Sequence, residues 1–347
     1  MIVNLSVTQW QQLAEAAIEC NPFYEPWFLL AHIEHLKTKI LRVISFGQSD
    51  RLDAFFPLER DSEYPWKWLP GVKVLRTVTS PFLYLSAPLL RTEGVPSLQP
   101  AFEAAFADDP SLQAVSIGPL YRDSELFENL QRGLAGLPTL AWRNTIRPYF
   151  SSALRAGEYC TLHLGRQHEK KLLKKRKKLG TFKASLDIND ALIEDFLQLE
   201  RAGWKGEEGT AMACRSDTEQ FFRAVMKNGA TQARVRCCGI QDEKSQALKV
   251  LFTNSRKDFG FKICFDETLH HLSPGSVLES YLVEQRLAHI PRIEADSCAK
   301  SGAELFTRLW KTDRILTELL VFRPNPAGKS LRSLVMAGRK LKLFAPK

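Results

Sequence analysis

The stretch FGFKICFDETLHHLSPGSVLESYLVEQ, residues 259–285, decides the fold. Its first part, closing on Asp266 and Glu267, reads as a β-strand. A loop with His270 and His271 follows. Ser273-Pro274-Gly275 then opens a helix expected to reach His289. Serine caps a helix, proline fits its first turn, and glycine lets a ligand come close to the backbone. Free amides here and at Ser276, at the positive end of a helix, suit a pyrophosphate. Plain helix capping uses the same residue types.

Working outward, two strands precede this one, TQARVRCCGI (231–240) and QALKVLFTN (246–254). After the helix come strand RIEAD ending at Asp296, a helix over 302–309, and strand RILTELLVF (314–322). Upstream lie a basic helix over 166–179, strand TFKASLDI (181–188), helix DALIEDFLQLERAG capped by Asn189 and stopped by Gly203, and a helix over 217–228. The N-terminal half has a similar order. Thr8 with Gln11 reads as a capping box for a helix to Ile18. Pro26 opens a second helix. Strands at 40–47, 52–59 and 72–78 precede a helix at 98–107, a strand at 112–118, a helix at 123–133, and strands at 139–143 and around 148–154. The expectation is a mixed α/β fold of two tandem domains, 1–155 and 156–347.

Composition sets bounds. With 347 residues, 44% hydrophobic and 25% charged, the chain can bury two cores. No apolar run approaches the roughly 20 residues a membrane-spanning helix needs, and the N-terminus does not read as a secretory signal. Seven cysteines without a CxxC pair predict a reducing cytoplasm and neither a disulfide framework nor a zinc site. His32 and His35 share a helical face, but no further ligands are arranged nearby. The net charge of +9 is concentrated in KKLLKKRKK, residues 170–178, and the rest is close to neutral. That run reads either as a solvated helix docked through its leucines or as a platform for an anionic acceptor. No aromatic residue interleaves with its charges, so single-strand stacking has no support.

Several segments resemble the CelD-like acetyltransferase family, a branch of the GNAT superfamily with tandem halves like the FemX aminoacyltransferases. They are NPFYEPWFL (21–29), LERAGWKGEEGTA (199–211), the Phe221-Phe222 pair, FKICFDE with SPGSVLESYLVEQ, and IEAD followed by ELFTRLWK (304–311). The resemblance covers most of residues 160–312. It departs at Phe306-Thr307, where the family usually carries Tyr-Lys, and in the Ser-Cys-Ala-Lys-Ser-Gly stretch after Asp296, which is usually Gly-rich.

The resemblance implies an acyltransferase using acetyl-CoA or another acyl-CoA as co-substrate, with no metal. One cofactor site per chain is expected, because Gly94-Val95-Pro96-Ser97 before the corresponding N-terminal helix is a weaker phosphate turn than Ser273-Pro274-Gly275. Its acceptor would be an amine on a small molecule or saccharide, received between the halves. Ser273, Pro274, Gly275, Ser276 and Phe265 would hold the cofactor. Acyl transfer also needs a base or orienting carboxylate and donors for an oxyanion. Asp296 and Asp266, each at a strand end, are the candidate catalytic carboxylates, and amides near Phe265 and Asp266 the candidate donors. Trp204, Lys205, Arg308, Trp310 and Lys311 are candidate acceptor contacts. For each, a solvated or packing role stands beside the functional one. Two other readings remain open: aminoacyl transfer from charged tRNA, motivated by the basic helix, and a non-catalytic binding protein, motivated by Phe306-Thr307.

Overall fold

The structure is a computed structural model that describes residues 5–62, 66, 72–150, 166–254, 257–288, 294–310 and 312–340. In chain order the helices and strands are α1 (Val7–Ala16), α2 (Pro26–Leu36), β1 (Arg42–Gly47), β2 (Leu52–Arg60), β3 (Lys73–Thr77), β4 (Leu89–Leu90), α3 (Leu98–Asp108), β5 (Leu112–Tyr121), α4 (Glu125–Gly133) and β6 (Thr139–Phe150). Next come α5 (Arg166–Arg176), β7 (Thr181–Leu186), α6 (Asp190–Ala202), α7 (Trp204–Glu207), α8 (Ser216–Thr231), β8 (Val235–Gln241), β9 (Ser245–Thr253) and β10 (Lys257–Phe265). The last are α9 (Pro274–Ala288), β11 (Glu294–Asp296), α10 (Glu304–Leu309), β12 (Asp313–Phe322) and α11 (Pro326–Lys340). No helix among the described residues is long and apolar enough to cross a membrane.

The chain packs as two compact units, one of residues 1–26, 39–145 and 315–347, the other of 27–38 and 146–314. Segments 27–38, 146–155 and 315–347 thus lie on the other side of the 155/156 boundary expected from sequence. That boundary itself falls outside the described residues. Helix α2 goes with the second unit because its aromatic face finds partners there. Trp27 and Phe28 meet Phe252 with ring centroids at 5.1 and 5.4 Å, and Phe28 meets Phe221 at 5.4 Å. Hydrophobic burial acts between side chains that are far apart in sequence, so chain order does not reveal it.

In the first unit, β1, β2, β3, β5, β12 and β6 lie in that order, with β3 and β5 parallel. Ser6, not Thr8, caps α1, its side chain accepting from the Gln9 amide at 3.4 Å. Sequence reading places no element at α11, yet its Leu331 and Val335 close a core with Val74, Trp142 and Phe322. The two strands expected over 139–143 and from about 148 are one strand, β6.

In the second unit, β7, β8, β9 and β10 pair antiparallel in that order, the last three as a meander. Helix α9 then crosses over to β11, which pairs parallel with β10. Alternation along the strands divides the faces. Phe252 and Phe261 meet α2 and α8, whereas Ala247 and Leu251 meet Leu278 and Leu282 of α9.

Beneath α9 lies a buried charge network. Lys249 of β9 donates to Glu279. Arg286 donates to Glu279 Oε1 at 3.0 Å and to Asp258 Oδ2 at 3.3 Å, and Arg236 to the same Oδ2 at 2.6 Å. Trp310 Nε1 donates to Glu279 Oε1 at 3.1 Å. Burial pushes the Glu279 carboxyl up, but the charges of Lys249 and Arg286 outweigh it and hold it below its ordinary range. Removing one member leaves a buried charge uncompensated. Glu279→Gln is therefore expected to cost about 3–5 kcal/mol, read as a lower denaturation midpoint at unchanged slope. A cost below about 1 kcal/mol would contradict the network's structural role.

His32 of α2 is buried against Phe28 and Phe221, its Nδ1 within hydrogen-bonding distance of Thr38 Oγ1. Burial lowers its pKa to about 4 from 6.5. The unfolded chain takes up this proton near pH 6.5 and the folded chain only near pH 4, so stability is full above the first value and lost on descending to the second. The loss should approach about 3 kcal/mol. Denaturation at pH 7 and pH 4.5 should show a smaller drop for His32→Gln than for the parent.

Candidate functional site

Strands β10 and β11 are neighbours for only three pairs, the last being Phe259 with Asp296. Gly260 marks the point of divergence. A Cβ there would lie 2.8 Å from the Ser297 carbonyl oxygen, so only glycine lets the chains pass. The register of β10 against β9 also shifts between Gly260 and Lys262. Beyond it, β10 runs on to Phe265 with β9 on one edge and no strand on the other among the described residues. The Asp266 amide bonds the Gln246 carbonyl at 3.0 Å. By strand alternation, the backbone groups of Ile263 and Phe265 face the open edge. The Phe265 amide is thus placed as a donor there, whereas the Asp266 amide is already used.

After β10 the chain turns sharply. Asp266 Oδ1 accepts from the Thr268 amide at 2.9 Å and its hydroxyl at 2.7 Å, starting a 3-10 turn over Glu267–Leu272. Ser273 takes the left-handed conformation, φ 53°. Its carbonyl accepts the first intrahelical bond of α9, from the Val277 amide at 3.1 Å. The amides of Gly275 and Ser276 lie ahead of that bond, where a helix supplies no acceptor. The first turn of α9 holds no acidic residue. The Ser273 side chain does not cap the helix as expected. Its Oγ accepts from Lys175 Nζ of α5 at 2.8 Å. An ammonium therefore stands at the positive end of a helix dipole, an arrangement that disfavours itself and favours an anion. Gly275 packs beside Phe265 and Ile263, and a Cβ would make only ordinary contact, 3.5 Å from Phe265 Cδ1.

Trp204-Lys205-Gly206 forms α7 beside the same turn. A Cβ on Gly203 would lie 3.2 Å from Glu267 Oε1. Lys205 donates to Glu200 Oε1 at 3.0 Å and to the Ile263 carbonyl at 2.7 Å, on the open edge of β10. Buried Glu200 also accepts from the Met212 amide at 2.8 Å. Trp204 is 50% exposed and free to wall a ligand. Gly206 is a packing requirement, since a Cβ would fall 1.8 Å from the Arg201 carbonyl oxygen.

The other candidates lie elsewhere. Asp296 is fully buried, its carboxylate accepting from Arg147 at 3.2 Å and from the Cys298 amide at 2.7 Å, which fixes Cys298 at φ 54°. Trp310 is buried under α9, and exposed Arg308 pairs with Glu304 at 3.1 Å. Lys311 lies outside the described residues. Phe306 is buried against Trp310, with Lys249 Nζ 5.0 Å from its ring centroid. A cleft of about 820 Å³, lined by Asp187, Asp195, Asp242, Glu243 and Lys244, meets this set only at Asp266. Among the described residues no group of His, Cys, Asp and Glu is placed to hold a metal ion. Sequence reading did not pick out Lys175 individually, because its partner is 98 positions away.

Residues 166–290 match the family model described as the acetyltransferase (GNAT) domain. The chain is similar in fold to the crystal structure of FemX, with TM-score 0.61 and 9% identity over 95% of this chain and 99% of that one. It is also similar to a conserved protein of unknown function from Bacteroides thetaiotaomicron, at 0.54 and 10% over 92% and 98%. A third similar structure is the C-terminal domain of a putative lysylphosphatidylglycerol synthetase from Agrobacterium fabrum, at 0.52 and 13% over 96% of each chain. No curated protein matches the sequence. The matched domain and the fold define the class: an acyltransferase with a GNAT domain on a mixed α/β fold.

The two glycines make opposite predictions. Gly206→Ala drives a methyl into backbone and should cost about 2–4 kcal/mol of stability. Gly275→Ala, whose Cβ meets only ordinary contacts, should leave the melting temperature unchanged or higher. Paired thermal melts check both.

Proposed function

We propose that the protein transfers an acyl group, acetyl or longer, from coenzyme A to an amine of a small or saccharide-linked acceptor, in line with the CelD-like resemblance. The observation that carries this is Lys175 at the entrance of α9. With the Gly275 and Ser276 amides it supplies positive charge to a diphosphate, and the first turn of α9 carries no acidic residue. The donor's pantetheine amides would lie along the open edge of β10. There the Phe265 amide faces the thioester oxygen as its charge develops. Lys205, tied to the Ile263 carbonyl, keeps that edge in place.

In the reaction the amine nitrogen attacks the thioester carbon, the carbon–sulfur bond breaks, and the amine's proton leaves as the thiolate is released. Asp266, half-exposed at the end of β10, is the carboxylate we assign to orient the amine or take that proton. Asp296 is a positioning residue, because its buried carboxylate is held by Arg147 and the Cys298 amide.

A second reading is aminoacyl transfer from charged tRNA, supported by the fold likeness to FemX and by the basic helix. Calorimetry separates the two. Acetyl-CoA is expected to bind at one site per chain, tenfold or more weakly in Lys175→Glu. Absence of acetyl-CoA binding together with salt-sensitive tRNA binding would reverse the assignment.

A further inference from the structure

Helix α5 contacts α9 with one side. Leu172 enters the core with Val277, Val283 and Leu287, Arg176 pairs with Glu284 at 2.7 Å, and Lys175 meets Ser273. Its other side carries Lys170, Lys171 and Lys174, continued by Lys177 and Lys178 in the closing turn, all exposed. At 100° per residue these five fall within about 120° of one face, and they span about 12 Å of helix. None of them forms an ion pair among the described residues. Like charges three and four residues apart repel. The fold thus holds a strip of five exposed cations contiguous, through Lys175, with the turn that opens α9. Leu173, 45% exposed, sits at the strip's margin.

We infer that this lysine face docks an acidic carrier protein whose phosphopantetheine arm enters at the Ser273 turn, so that a carrier-bound thioester serves as acyl donor alongside acyl-CoA. The inference rests on the donor reading above. A phosphopantetheine thioester is borne either by the nucleotide of coenzyme A or by a serine of a carrier protein. In both, a phosphate at the α9 entrance places the bearer outside the turn, beside α5. A nucleotide is small and needs few cations. A strip of five lysines with an apolar residue at its edge matches an acidic helical surface over the area of a protein contact. An unpaired RNA end is held largely by stacking on aromatic planes, and the exposed face of α5 has none.

The test uses the full chain and a triple variant, Lys170→Glu, Lys174→Glu and Lys177→Glu, with Lys175 intact. Matching melts show that the exposed substitutions leave the fold unchanged, and the corresponding triple glutamine set serves as a milder version. The probes are an acyl carrier protein bearing acetyl-phosphopantetheine, its apo form, acetyl-CoA, a tRNA, and vesicles containing phosphatidylglycerol. The acetylated carrier is expected to bind the parent at least tenfold more tightly than the apo form. The glutamate variant should weaken carrier binding at least tenfold and acetyl-CoA binding less than threefold, with the glutamine set between. Failure of the carrier to bind while acetyl-CoA does, or equal weakening of both, overturns the inference and leaves the donor reading standing. Failure of carrier and acetyl-CoA alike overturns the donor reading itself. Binding of tRNA or vesicles that the variant loses, without carrier binding, reassigns the face to that partner.

Discussion

Everything at the candidate site depends on where α9 begins, and that is set by two carboxylates buried among three cations. Glu279 and Arg286 are seven residues apart on α9 and face the sheet together. There they meet Lys249 of β9 and Asp258 of β10. Apolar packing alone tolerates a helix sliding over a sheet by part of a turn. Buried charges do not, because each lost partner exposes a full desolvation penalty. A shift of α9 along its axis would separate Glu279 from Lys249 and Arg286 from Asp258 at once. The network therefore fixes the position of the Gly275 and Ser276 amides relative to the open edge of β10. It shapes the second unit through geometry more than through net stability, since a well-packed apolar set can be as stable as a buried ion pair.

The same constraint accounts for Lys175. A cation beside a helix N-terminus is held against the helix dipole by the docking of α5, through Leu172 and the Arg176–Glu284 pair. Arg176 also lies 5.0 Å from the Phe182 ring centroid and 5.1 Å from that of Tyr281, which locks the helix in rotation. With rotation fixed, Lys175 has to face the turn and the remaining lysines have to face solvent. A local electrostatic mismatch is thus maintained by packing elsewhere, as functional sites commonly require.

Much of the second unit was legible because its signals are local. Asn189 caps α6, its side chain accepting from the Leu192 amide at 2.9 Å, and Gly203 ends that helix. The three-strand meander and the helix after Ser273-Pro274-Gly275 also follow from pattern. What was not legible depends on distant partners. Ser273 has the residue type of a cap, yet it takes a left-handed conformation and gives its oxygen to Lys175. Helix α2 pairs with strands more than two hundred residues away. Lys249 within QALKVLF and Glu279 within SVLESYLV did carry a signal, since a charge inside an apolar run has to find an opposite charge once buried. Pairing the two requires the fold.

Asp296 shows how a buried strand-end carboxylate sets the geometry of the strands around it. It closes the last β10–β11 pair, holds Arg147 of β6, and bends the backbone at Cys298 away from β10. Neutralising it would leave Arg147 short of a buried partner and free the turn that begins the divergence. The open edge of β10 exists because β11 leaves at that residue, and Gly260 leaves room for it to do so. Under the proposed function, whose oxyanion donors are main-chain amides, the geometry of these strands matters as much as any side chain. The buried carboxylate fixes where two strands part, and the only side-chain chemistry the proposal asks for is that of the more exposed Asp266.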